Sequence, residues 1–313
     1  VLTNALLPRL AAPGRIGALS GSAWALGFVG GLVSLGLVLA LLAPLAESRL
    51  TIAGIEPLFG LTASDGGPAR ATGPFSAIWY VIFVIPFFVY IPSTLTNVSG
   101  AAAPRLSVAF RDLSRQPGLL RFLAARLAYQ DALLAVFAFG GIYGAGTLGW
   151  QATELGLFGI LLTVTGAIGA LIGGRLDDLF GPRPVVFTSI MMCLAALALI
   201  ASLGIPDQPA STLFGRQEDQ LFLLGGTLVG IAAGPLQSAS RTYLARLAPP
   251  GEMAAAFGLF AVSGKAISFT GPLLVALATW LGGTQRAGLL PIAVLFVIGA
   301  AILITVPSSQ KDA

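Results

Sequence analysis

The sequence predicts an all-α membrane protein with eight transmembrane helices, and three observations predict it. Hydrophobic residues fill 56% of the 313 positions and charged residues only 10%, far more apolar surface than one soluble core hides, so the solvent of this chain is a lipid bilayer. The apolar residues gather into stretches of roughly 20, the length a helix needs to cross hydrocarbon about 30 Å thick. The strict alternation of a membrane β-strand is missing from them.

In chain order the stretches cover residues 18–45, 73–91, 119–143, 155–173, 185–203, 221–244, 254–281 and 289–306. The third carries Arg121 and Arg126 near its entry and Asp131 deeper in, and the seventh contains Lys265. Gly226, Gly230 and Gly234 recur every four residues along one face of the sixth, which predicts close packing against another helix; Gly140 with Gly144 and Gly169 with Gly173 repeat the pattern.

Positive charges are retained in the cytoplasm, so their distribution orients the chain. One side holds Arg9, Arg15, Arg105, Arg111, Arg115, Arg121, Arg126, Arg175, Arg183, Arg241, Arg246 and Lys311; the other holds Arg49, Arg70, Arg216 and Arg286. Twelve against four places both termini in the cytoplasm. The net charge of +4 therefore reports topology, and nucleic acid is not expected as a partner. Residues 93–118, the longest connection on the basic side, are broken by Pro104, Pro117 and Gly118 and read as a linker between two helix bundles.

Much chemistry is excluded. The chain has no histidine and a single cysteine, Cys193, inside an apolar run, which removes the usual neutral-pH proton carrier, the commonest metal ligand and any disulfide framework. No nucleophile with a base partner and no phosphate-binding loop is visible, so neither an enzyme nor a cofactor is expected.

The sharpest local signal lies between the fourth and fifth spans, where residues 173–183 read GGRLDDLFGPR. Gly174 lets two helices approach, Asp178 supplies a carboxylate at the membrane edge, Gly181 permits a tight reversal and Arg183 adds a counter-charge. The carboxylate suits the positive N-terminal end of a neighbouring helix, and the first span, starting near Ala18 on the same side, is the candidate.

This Gly-x-x-x-Asp-x-x-Gly-x-Arg loop resembles the cytoplasmic signature of the major facilitator superfamily. Further residues narrow the resemblance: Asn4 to Pro8, Leu19-Ser20-Gly21, Ala25 to Gly31, Ala138 to Tyr143, Gly234-Pro235-Leu236-Gln237 with Ser240-Arg241, and Phe257 through Lys265 to Gly271-Pro272. Together they are similar to the bacterial relatives of the autophagy-linked vacuolar amino-acid effluxers, called unknown major facilitator family one. The resemblance implies a facilitator fold in which the eight spans stand for helices five to twelve of twelve, with residues 1–92 a remnant of the N-terminal bundle, 93–118 the cytoplasmic linker and 119–313 a six-helix C-terminal bundle. With Val1 in place of an initiating Met, N-terminal truncation is the expectation. It also implies that the Gly174, Asp178, Gly181 and Arg183 motif latches the cytoplasmic side, and that the chain is a secondary transporter of a small solute, an exporter with amino acids as first substrate, in a bacterial cytoplasmic membrane. Efflux of a drug or metabolite, or a non-transporting scaffold or sensor, are the alternatives.

Ionisable groups deep in a span are functional candidates by default. Asp131 and Lys265 qualify: as a buried pair they would couple transport to an ion such as a proton, or simply lock the bundle. Gln237 and Arg241, four apart on one helix face, could receive a solute carboxylate, although a snorkelling anchor is the commoner role for an arginine near a helix end.

Overall fold

The computed structural model describes residues 2–44, 49–62, 66–90, 116–204, 212–266 and 268–307. Peptide groups in hydrocarbon find hydrogen-bond partners only in one another, and each apolar stretch accordingly closes into a helix. Two single turns, Leu2–Ala5 and Leu7–Leu10, precede the long helices. These are α1 (Ile16–Leu41), α2 (Gly67–Tyr90), α3 (Pro117–Gly146), α4 (Ala152–Phe180), α5 (Pro182–Ala201), α6 (Gln217–Leu247), α7 (Met253–Ala266), α8 (Thr270–Gly282) and α9 (Leu289–Ile304). Among the described residues they supply eight spans long and apolar enough to cross a membrane.

The seventh span runs over Met253–Gly282. It is broken into α7 and α8. Pro272 lies in the first turn of α8, the place where a missing N–H is no loss; further inside a helix it would break a hydrogen bond and clash with the preceding turn.

The chain divides into two compact units, Val1–Leu26 with Ala103–Ala313, and Gly27–Ala102. In the second, α2 buries none of its side chains. The proposed linker 93–118 falls almost wholly outside the described residues, as do Arg105, Arg111, Arg115 and Lys311.

Inside the first unit, α6 is the central helix. Its glycine face lies on α4: a Cβ at Gly234 would stand 2.6 Å from the Ala170 nitrogen, one at Gly230 3.0 Å from the Leu162 carbonyl oxygen, and one at Gly226 would strike the Phe158 ring. At the end of the bundle carrying Trp150, aromatic rings fill the space between helices. Phe222 stacks on Tyr143 with centroids 5.3 Å apart and meets the Trp150 edge at 5.2 Å. The Trp150 indole N–H donates to Asp219 at 2.8 Å. Arg216 forks onto the same carboxylate at 2.9 and 2.7 Å and donates to the Leu148 carbonyl at 2.5 Å, closing this end of the unit. Arg216 is therefore an interhelical clamp as well as a loop charge.

The glycine face predicts a stability test. Gly234→Val drives a side chain into the α4 backbone and lowers stability by about 1–3 kcal/mol, whereas Gly156→Val, with open space around it, changes little. Reaction of buried Cys193 with a thiol-sensitive dye during heating reads unfolding directly; equal melting temperatures for the two variants would contradict the packing argument.

Candidate functional site

The loop between α4 and α5 organises one end of the bundle, the Asp178 end. The first N–H groups of a helix have no partner within it. At α1 two of them are taken from across the sequence: Gly17 N–H donates to one carboxylate oxygen of Asp178 at 2.6 Å and Ala18 N–H to the other at 2.8 Å. A negative group against a helix N-terminus is also favoured by the helix dipole. The approach depends on glycine, since a Cβ on Gly174 would come within 2.6 Å of the Gly17 carbonyl oxygen and one on Gly17 within 2.8 Å of Asp178 itself. Gly181 joins α4 to α5 with φ 85°, a left-handed value that favours glycine.

The other motif residue reaches the opposite kind of helix end. Arg183 donates to the Ile304 carbonyl at 2.6 Å and Arg121 to that of Thr305 at 3.2 Å. Both cations thus meet the orphan carbonyls where α9 ends. The Tyr243 hydroxyl adds a bond to Pro307 at 3.0 Å.

Asp177, one position before Asp178, lies on a different face of α4 and is buried. It accepts a short hydrogen bond from Thr242 and an ion pair from Arg246 at 3.1 Å, so adjacent acids bind α4 to α1 and to α6. Sequence reasoning passed over Asp177; the roughly 100° between consecutive helical residues was the available signal.

Deeper in α3 lie two charges. Asp131 is 2% exposed, and one of its oxygens accepts the Gly271 N–H at 2.7 Å, an orphan donor in the first turn of α8, while the other is buried with no hydrogen-bond partner. The expected pair with Lys265 does not form. Lys265 is exposed in the last turn of α7, whereas Asp131 meets the start of α8, beyond the break. Interrupting the span frees the N–H that the carboxylate takes, so the helix end replaces the lysine as its partner.

The second deep charge is Arg126, counted from the sequence among the entry residues. It is only 8% exposed, donates to the Phe260 carbonyl at 2.8 Å and to the Ser263 hydroxyl at 3.3 Å, and stacks with its guanidinium carbon 3.4 Å from the Phe260 ring centroid. Sequence reasoning weighed depth for Asp131 but not for Arg126, five positions earlier, where the same argument applied. One turn along α3, the Tyr129 hydroxyl shares a 2.7 Å hydrogen bond with Ser240 of α6.

Arg241 corrects the snorkelling expectation. Its side chain turns into the bundle, donating to the Ser20 carbonyl of α1 at 2.7 Å and to Asn4 at 3.3 Å, with Trp24 5.3 Å from its carbon. Its Nε is buried without a hydrogen-bond partner. Gln237, one turn earlier and partly buried, makes none of the described side-chain bonds. The structure thus brings Asn4, Ser20 and Arg241 together and leaves Asp131 and Lys265 apart. Among the described residues no cluster of three metal-ligating side chains occurs.

Comparison with solved structures identifies the fold. The chain superimposes on the fucose:proton symporter FucP of E. coli with a TM-score of 0.67 at 14% identity, covering 98% of this chain and 72% of that one. The chain therefore has the fold of that symporter. Residues 14–313 match the family described as vacuole effluxer Atg22 like, and the chain belongs to that family. It is 26% identical over 255 residues to autophagy-related protein 22-1 of Aspergillus niger, covering 75% of this chain and 41% of that protein. It is 25% identical over 249 residues to the uncharacterized MFS-type transporter YxiO of Bacillus subtilis, covering 75% and 53%. The chain spans about half the length of these curated relatives.

Asp178→Asn removes the charge and one of the two acceptors, weakening the clasp by roughly 1.5–3 kcal/mol, the range for hydrogen bonds to charged groups. With Cys193 replaced, a cysteine at buried Ala25 on α1 is expected to be labelled several times faster in the Asp178→Asn background. Unchanged labelling would mean that the clasp does not hold α1.

Proposed function

We propose that this chain acts in a secondary transporter that moves a small solute across the membrane by alternating access, working as an exporter with amino acids as its substrate class. The observation that carries this reading is the Asp178 carboxylate on the first turn of α1. In a facilitator fold, access alternates as one bundle rocks against the other around a site near the midplane. A reversible bond between one carboxylate and two backbone N–H groups can hold one end shut and be broken in each cycle. Residues 1–92 in this reading contribute the last two helices of the N-terminal bundle, 93–118 link the bundles and 119–313 form the C-terminal one. The exposed faces of α2 suit a helix that meets lipid and other helices.

Orientation follows the positive charges. With Arg126 and Arg241 withdrawn into the bundle, ten cations remain against four, and the Asp178 end faces the cytoplasm of a cell whose cytoplasmic membrane holds the protein. Export rests on the family, described as vacuole effluxers, and amino acids rest on the resemblance drawn from the sequence. A coupling proton fits Asp131, whose carboxylate has one oxygen on the Gly271 N–H and one unengaged. A charge at this depth costs roughly 2.5–3.5 kcal/mol on insertion scales, and protonation removes that cost.

Exchange of radiolabelled amino acids across proteoliposomes tests the proposal. The wild-type protein is expected to exchange at least one amino acid at a rate that varies with pH. In Asp131→Asn, exchange persists and its pH dependence flattens. Absence of exchange for every amino acid would refute the substrate assignment, and an unaltered pH profile in Asp131→Asn would remove Asp131 from coupling.

A further inference from the structure

Arg126 carries a hydrogen-bonding edge that nothing in the described structure uses. The side chain is 8% exposed, and its described bonds all leave from Nη1, to the Phe260 carbonyl and the Ser263 hydroxyl. Its Nε is buried with no hydrogen-bond partner. Among the described residues no carboxylate forms an ion pair with it; the acid on α3, Asp131, has one oxygen on the Gly271 N–H.

A buried cation is ordinarily matched by an anion, because removing it from water is costly and only an opposite charge with good geometry compensates. Here a ring face, a carbonyl and a hydroxyl stand in for that anion. They orient the guanidinium without neutralising it. Stacking 3.4 Å from the Phe260 centroid fixes the plane of the group, and Gly264 leaves room for it, since a Cβ there would lie 2.9 and 3.1 Å from Nη1 and Nη2. With the plane held and Nη1 engaged, Nε and Nη2 form the two-pronged fork that receives a carboxylate or phosphate in bidentate fashion.

We propose that the Nε–Nη2 edge of Arg126 binds the oxyanion group of the transported solute, with Phe260, Ser263 and Gly264 as the residues that position it. The assignment rests on the transporter reading above and adds to it the group on the protein that receives the solute. α3 supplies the cation and α7 the cradle. The site lies about 14 Å along α3 from its first residue at 1.5 Å per residue, inside the membrane-spanning length, where a bound anion is shielded from competing water and salt.

The test uses purified protein in lipid nanodiscs and measures the affinity of L-leucine, succinate and inorganic phosphate by their effect on melting temperature, with L-leucinamide as the counterpart lacking the carboxylate. At least one oxyanion is expected to stabilise the wild type, and leucinamide is not. Arg126→Lys keeps the charge but loses the fork, and is expected to weaken that oxyanion roughly 10- to 100-fold. Gly264→Ala, which displaces the guanidinium while retaining it, is expected to weaken binding in the same direction and covers the case in which Arg126→Lys does not fold. Exposed Arg175→Lys is expected to bind as the wild type does. Stabilisation by the carboxylates alone assigns the edge to a carboxylate, and by phosphate alone to a phosphate. Binding of no oxyanion, or unchanged affinity in both Arg126→Lys and Gly264→Ala, overturns the site. Proteoliposome exchange separates the two readings: exchange at the wild-type rate in Arg126→Lys overturns the oxyanion site and leaves transport standing, whereas oxyanion binding that depends on Arg126 in a protein that exchanges nothing leaves the site and overturns transport.

Discussion

A helix ends with N–H and C=O groups that have no partner within it, and the charged side chains of this chain are arranged to meet that need. Asp178 takes two N–H groups at the start of α1, and Asp131 takes one at the start of α8. Arg183 and Arg121 take the last carbonyls of α9. In each case the sign of the charge matches the helix dipole. A carboxylate and a cation could instead have paired with each other, but that would leave these helix-end groups without a partner in the protein. The absence of an Asp131–Lys265 pair follows from the same constraint: the break in the seventh span creates an orphan N–H, and the carboxylate goes there.

Close backbone approach is what brings these charges to helix ends. Where α1 crosses α4, Gly17, Gly21 and Gly174 let the two backbones touch, and only then does the Asp178 side chain, two bonds from its Cα to the carboxyl carbon, span the gap to α1. The same economy of side chain holds α6 against α4 through Gly230 and Gly234. In lipid no hydrophobic force draws helices together, so small residues that maximise contact supply the association. Both contacts involve α4, whose last turn carries Asp177 and Asp178 to α6 and α1 at once. A helix tied to two neighbours by adjacent residues can transmit a movement at one contact to the other.

Arg126 and Arg241 stand apart from this pattern. Arg126 has a ring face, a carbonyl within a helix and a hydroxyl, and Arg241 has a carbonyl of α1, an amide oxygen and a more distant ring. These favour a cation without neutralising it, and in Arg126 the ring at 3.4 Å also fixes the plane of the group, which is why it reads as waiting for an anion.

Hydropathy and glycine spacing by themselves determined the eight spans and the tight face of α6, because each is a property of residues within one helix turn or one window. The motif at 173–183 was legible for the same reason, and the placement of Asp178 beside the first span followed from both ends lying on one side of the membrane. Only the tertiary structure decided the partners of Asp131, Arg126, Asp177 and Arg241. Their contacts join residues more than 60 positions apart, and each depends on helix rotation, on crossing distance and, for Asp131, on a break of a few residues in a span that hydropathy reads as continuous. A one-dimensional pattern states which residues lie in the membrane; which of them meet is set by how helices rotate and cross, and no local sequence window contains that information.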